Sequence, residues 1–212
     1  MQGLFITFEG PEGCGKSTQI AMLAERLRAC GQTEVVTTRE PGGTPAGEAI
    51  RGILQHDTAG DDICAAAETL LFEASRAQLV QRVIRPALER GAIVLCDRFA
   101  DSTTAYQGYG RGFDIEALRP LHEFALGGTW PDITLLLDLD AELGFRRIQA
   151  RNGGAAGLDR MERESLAFHQ RVVAGFREMA GRWPERFRRV DAAGTVDTVH
   201  ETIWTIVKEV LS

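Results

Sequence analysis

Gly10-Pro11-Glu12-Gly13-Cys14-Gly15-Lys16-Ser17 reads GxxxxGKS. It stands between a short apolar run, Leu4 to Phe8, and a helical pattern in which Ile20, Leu23, Ala24 and Leu27 share one stripe. Strand, glycine-rich turn and helix in that order form a phosphate-cradling unit of an α/β protein. Glycines lack side chains, so successive backbone N–H groups converge on phosphate oxygens without a clash. Lys16 adds a point charge and Ser17 offers a hydroxyl to a magnesium ion. The helix that begins here turns the positive end of its dipole toward the same anion. A turn that merely happens to precede Lys-Ser is the bland alternative, and the flanking strand and helix argue against it.

The alternation continues outward. Apolar runs at Glu34 to Thr38, Ala92 to Cys96, Ile133 to Leu139 and Phe187 to Val190 alternate with longer helical patterns. That order predicts parallel strands joined by helical crossovers, an α/β sandwich. One helical pattern runs from Ala65 to Glu89 and contains Pro86, which should kink or break it. Another runs from Glu162 to Arg182. A last one carries Val196, Val199, Ile203, Ile206, Val207 and Val210 on one stripe behind a Thr195 cap. Between Arg151 and Arg160 the run Asn152-Gly153-Gly154-Ala155-Ala156-Gly157 reads as a mobile flap.

With 212 residues, 44% of them hydrophobic, the chain can bury one core, so residues 1–212 are read as a single domain. A net charge of −6 argues against a surface devoted to nucleic acid, so attraction for anions must come from basic residues gathered in a cleft. Cys14, Cys30, Cys64 and Cys96 show no CxxC pairing and no zinc-like spacing with the histidines, which fits a reduced cytoplasmic protein. No stretch has the length and apolarity of a membrane span, and none resembles a secretory leader.

The run Ala92 to Cys96 ends in Asp97-Arg98, and the carboxyl ends of strands in an open parallel sheet face the ligand crevice. Aspartate there can hold magnesium or its water shell, and arginine can grip a phosphate through two parallel hydrogen bonds. A structural ion pair at the strand end is the competing reading. The continuation, Phe99 to Gly108, mixes hydroxyl, amide and aromatic groups, as a pocket for a polar ring with apolar faces requires.

FEGPEGCGKST, TREPGGT, LCDRFADSTTAYQG and GLDRMERES together make the chain closely resemble the bacterial thymidylate kinases, members of the nucleoside monophosphate kinase group of P-loop proteins. The resemblance spans nearly the whole chain. It implies a three-layer P-loop fold, a five-stranded parallel sheet core flanked by helices with a short mobile flap. It also implies γ-phosphoryl transfer from ATP to dTMP with Mg²⁺, and a homodimer built from helices. Carried over by position, Gly10 through Ser17 with Thr18 bind ATP, and Ser17 and Asp97 serve the metal. Arg98 takes the dTMP phosphate, with Arg51 nearby. Phe72 and Arg76 meet the face and edge of thymine, and Thr103 and Gln107 also meet the base. Tyr106 fills the space of a ribose 2′-hydroxyl. Glu12 is directed to the sugar 3′-hydroxyl, and Glu40 to the acceptor pocket or the metal.

Here the chain departs from its relatives. Family members without an arginine in the phosphate loop place several basic residues in the flap, yet this flap is rich in glycine and alanine. Arg151 is the expected transition-state arginine, Arg160 its competitor, and Arg147 lies further back. A GTPase-type reading rests only on Asp57-Thr58-Ala59-Gly60, a DxAG match with no NKxD elsewhere. The nearer rival is a kinase for dUMP, UMP or CMP on the same architecture.

Overall fold

Strands β1 (Leu4–Glu9), β2 (Val35–Arg39), β3 (Ile93–Asp97), β4 (Ile133–Asp138) and β5 (Phe187–Asp191) are all parallel and lie in the order β2-β3-β1-β4-β5. The computed structural model describes residues 3–32, 34–56, 62–152 and 159–211, with the backbone alone at 151 and 152. From β1 the chain crosses over to β2 on one side, and from β3, its neighbour, it crosses over to β4 on the other, so the switch point that opens a ligand crevice lies at the carboxyl ends of β1 and β3. Register brings Phe8 opposite Asp97 and Arg39 opposite Asp97 from the other side, which gathers three strand ends at one rim.

The period of two in β1 decides the layers. Ile6 and Phe8 face a core shared with α1 (Lys16–Ala29) and α9 (Val196–Leu211), where Leu23, Leu27, Ile203 and Val207 are fully buried. Phe5 faces the opposite core, built with α3 (Ala65–Leu79), α4 (Arg85–Glu89) and α6 (Ile115–Leu126). A third core joins Leu136 to Tyr106 and to α8 (Leu166–Arg182). The remaining helices are α2 (Pro45–His56), the short α5 (Ala100–Thr103) and α7 (Ala141–Asn152).

Sequence and structure differ at three helices. Pro86 does not break its helix. The chain widens through a π-helical turn, Val80–Ile84, and Pro86 falls in the first turn of α4, where no N–H is required. The helix expected from Glu162 starts at Leu166, because Ser165 caps it by accepting from Phe168 N at 3.2 Å. Ahead of it, Asp159 and Glu162 cap each other's backbone N–H groups at 3.1 and 2.8 Å, closing a separate turn. In α9 Thr195 caps as read, accepting from Thr198 N at 3.2 Å, but Val196 and Val210 stand exposed and His200 joins the buried face.

Candidate active site

The phosphate loop is shaped by close approach. Gly13 has φ +73°, and a Cβ there would lie 2.5 Å from Gly144 O, so the loop packs directly on the backbone of α7. Lys16 is buried. Its Nζ donates to Gly10 O at 3.2 Å and Pro11 O at 3.0 Å, back onto the loop it serves. Ser17 Oγ donates to Asp97 Oδ2 at 2.7 Å, which joins the helix that follows the loop to the end of β3. Lys16, Ser17, Thr18 and Asp97 border a cavity of about 410 Å³ that Arg51, Arg98 and Glu12 close from the other side. Arg51 donates to Pro41 O at 2.9 Å, and burial and then Arg39 lower its pKa.

Arg98 and Asp97 do not form the strand-end pair with each other; Asp97 takes Ser17 and Arg98 reaches across the loop. Arg98 Nη2 donates to Glu12 Oε1 at 2.6 Å and to Tyr106 Oη at 3.0 Å, while Nη1 donates to Gly10 O at 3.1 Å and Ser102 Oγ at 3.0 Å. Among the described residues Arg98 is the one non-glycine with positive φ, 70°, a conformation that costs energy and has to be held by its surroundings. Glu9, fully buried at the end of β1, does the holding. It accepts Phe99 N at 2.7 Å and Ser102 Oγ at 2.6 Å, the residues flanking the strained turn. Neither Glu9 nor Ser102 was singled out from sequence. The only signal for Glu9 was its place as the last residue of a strand that runs into the phosphate loop.

Glu12 inside a phosphate loop is tolerable because it is paired. Burial alone would raise its pKa, but Arg98 and Lys16, helped by the Tyr106 hydroxyl, hold it at about 2 against 4.5. A carboxylate depressed on folding stabilises the fold above its unfolded pKa and stops doing so as pH falls through the folded value. The wild type should therefore be more stable than Glu12→Gln above pH 4.5, and the gap should close as pH falls toward 2. Urea melts of both proteins across that range check this, and a constant gap would contradict it.

Phe72, Arg76, Thr103, Tyr106 and Gln107 line one cavity together with Glu12, Glu40 and Arg98. Phe72 is half-buried in its wall, not in the core. Arg76, which a helical pattern alone would leave solvated, is 1% exposed. It pairs with Glu40 at 2.7 Å and Glu73 at 2.5 Å, and donates to Thr103 Oγ1 at 3.0 Å. His122 supports Glu73 through Nδ1 at 2.9 Å. Tyr106 and Gln107 sit on a π-helical segment, Thr104–Gly110, whose wider turn aims both at the cavity. The Tyr106 ring packs between Arg98 and Phe176.

Arg160 is not at the phosphate cavity. Its Nη2 donates to Glu68 and its Nε to Leu54 O at 2.9 Å, so its guanidinium is held on the flank of the second cavity. Arg147 donates to Ala192 O at 3.0 Å and borders the phosphate loop. The Arg151 side chain, most of the flap at 151–160, and Asp57-Thr58-Ala59-Gly60 lie outside the described residues.

A phosphate loop at the switch point of a five-stranded parallel sheet, facing a second cavity across an arginine, defines a P-loop phosphotransferase that works on two nucleotides. Residues 8–203 match the model of the thymidylate kinase family. The thymidylate kinase of Thermomicrobium roseum is 53% identical over 98% of this chain and 95% of its own length. That of Caulobacter vibrioides is 51% identical over 97% and 96%. The crystal structure of thymidylate kinase from Ehrlichia chaffeensis superposes with a TM-score of 0.77 at 35% identity, covering 98% of this chain and 99% of that one. The chain belongs to the thymidylate kinase family and is an ATP-dependent nucleoside monophosphate kinase.

Proposed function

We propose that the two cavities bind the two nucleotides of the dTMP kinase reaction head to head, ATP on the phosphate loop and dTMP across Arg98. The observation that carries this reading is Arg98 itself, reaching from the end of β3 to Glu12, Tyr106 and the loop carbonyl of Gly10. Phosphoryl transfer leaves little covalent work for a protein, so alignment and charge cancellation supply the rate. Gly10 through Ser17 present backbone N–H groups to ATP and Lys16 neutralises its terminal phosphates. Arg98 holds the acceptor phosphate in line, and Arg51 adds charge from the same rim. Phe72 covers the thymine face, while Arg76, Thr103 and Gln107 meet its polar edge. Tyr106 blocks a 2′-hydroxyl, Glu12 turns toward the sugar, and Glu40 backs Arg76. Arg151 is the arginine assigned to the moving phosphoryl.

Ser17 and Asp97 set two hard oxygen donors 2.7 Å apart beside the phosphate cavity, a set that suits Mg²⁺, which takes few protein ligands and completes its shell with phosphate and water. Bound there, Mg²⁺ would neutralise charge on the β- and γ-phosphate oxygens. Phe124 on α6 and Leu70 on α3 are 89% and 56% exposed, large apolar side chains that a homodimer through these helices would cover. The four cysteines are unpaired, in keeping with a cytoplasmic setting, and no described helix is long and apolar enough to cross a membrane.

A coupled assay with ATP and Mg²⁺ across dTMP, dUMP, UMP and CMP tests the reading, with dTMP expected as the best acceptor. UMP or CMP outperforming dTMP would overturn it. In the same assay Tyr106→Ala should reduce the preference for deoxyribose over ribose by about 10-fold, the scale of losing one steric exclusion. An unchanged ratio removes Tyr106 from that role.

A further inference from the structure

Glu68 belongs to no motif in the sequence, yet it is fully buried on α3 beneath the base cavity. Three side chains converge on its carboxylate. Gln107 Nε2 donates at 2.9 Å, Arg111 donates through Nε at 2.6 Å and Nη2 at 3.0 Å, and Arg160 donates through Nη2. Burial pushes the Glu68 pKa up, but the hydrogen bonds from Arg111 and Gln107 and the two guanidinium charges bring it below the ordinary carboxylate value. Glu68 is therefore an ionised group that can only accept hydrogen bonds.

An acceptor-only partner removes the ambiguity of an amide. The end of Gln107 that meets Glu68 has to be the NH₂, which leaves the carbonyl Oε1 as the end available to the cavity that Gln107 lines. Arg76, with donors only, stands in the same wall. A donor beside an acceptor complements a pyrimidine with O4 and N3–H. It opposes a 4-amino pyrimidine, whose N3 carries a lone pair and whose exocyclic group carries hydrogens.

We propose that Glu68 is a specificity-determining positioning residue: by holding the Gln107 amide in one sense, it makes the pocket accept 4-oxo pyrimidine monophosphates and reject 4-amino ones. The proposal rests on reading this cavity as the acceptor-base pocket. With Glu68 removed the amide is free to turn, and its NH₂ can then donate to a 4-amino pyrimidine at N3. The two arginines give Glu68 a structural role as well. Losing that role would lower stability and slow both classes of substrate together; it would not change their ratio.

dUMP and dCMP differ only at ring positions 3 and 4, so the ratio of their kcat/KM values isolates the effect. A pocket that demands a hydrogen bond rejects the wrong partner by about 10⁴-fold, and this is the ratio expected of the wild type. Glu68→Gln should lower that ratio at least about 10-fold, because a glutamine can accept or donate and leaves either sense of Gln107 satisfied. Glu68→Asp keeps an acceptor-only carboxylate and should stay closer to the wild type. A folded Glu68→Gln with the wild-type ratio would overturn the proposal. Should that variant fail to fold, calorimetry on the wild type with 3-N-methyl-dTMP decides. Binding about 100-fold weaker than dTMP is expected where a carbonyl faces N3, and equal binding overturns it. A wild type that phosphorylates neither dTMP nor dUMP would instead overturn the acceptor assignment beneath it.

Discussion

Arg98→Ala should lower kcat/KM for dTMP by about 10³-fold while ATP affinity changes less than about threefold. The size follows from the role proposed for Arg98: removing one preorganised charge aimed at the acceptor phosphate costs about 4 kcal/mol of transition-state stabilisation. Both residues carry a Cβ, so the left-handed backbone at φ 70° is equally strained in each and does not confuse the comparison. The variant leaves Glu12 without its nearest cation, so melting temperatures of both proteins accompany the kinetics. Calorimetry with ATP and steady-state rates against dTMP separate the outcomes. A large loss of ATP affinity with dTMP use intact would move Arg98 to the donor side.

The second large effect belongs to Lys16. Lys16→Ala should reduce kcat by about 10³-fold, the scale of losing one preorganised charge aimed at the transferring group. dTMP binding should stay near the wild-type value, because Lys16 borders the loop cavity and not the base cavity. Single-turnover rates together with dTMP titrations check this. Weakened dTMP binding at an unchanged rate would contradict the donor-side role.

These two residues were legible because their signals are local. Lys16 sits in an eight-residue run whose spacing is itself the mechanism, and Arg98 follows a strand whose end must face the crevice. The sheet was legible for a similar reason: each strand was found to within one residue, since apolar runs of that length have few other uses. The cavity proposed for the base was not legible without the family resemblance. Phe72 and Arg76 sit on a helix, where periodicity assigns a face but not the neighbour, and Glu40, Glu73 and Thr103 come together around Arg76 only in three dimensions. Glu68 gave no sign, because a buried acid reads in sequence like any solvated one. Pro86 signalled a departure from the α-helix but not its form, because no composition rule announces a π turn. Arg160 fitted the composition of a flap, yet Glu68 claims it.

The left-handed turn at Arg98 aims a cation that the protein itself already occupies. Glu9 and Ser102 fix the direction of that guanidinium, but all four of its Nη–H groups are already donated, to Gly10 O, Ser102, Glu12 and Tyr106. Lys16 is likewise tethered, to the carbonyls of Gly10 and Pro11. With the two cations on the two phosphates as proposed, each exchanges hydrogen bonds inside the loop for bonds to its ligand, and the Gly10 carbonyl that both hold couples the two halves.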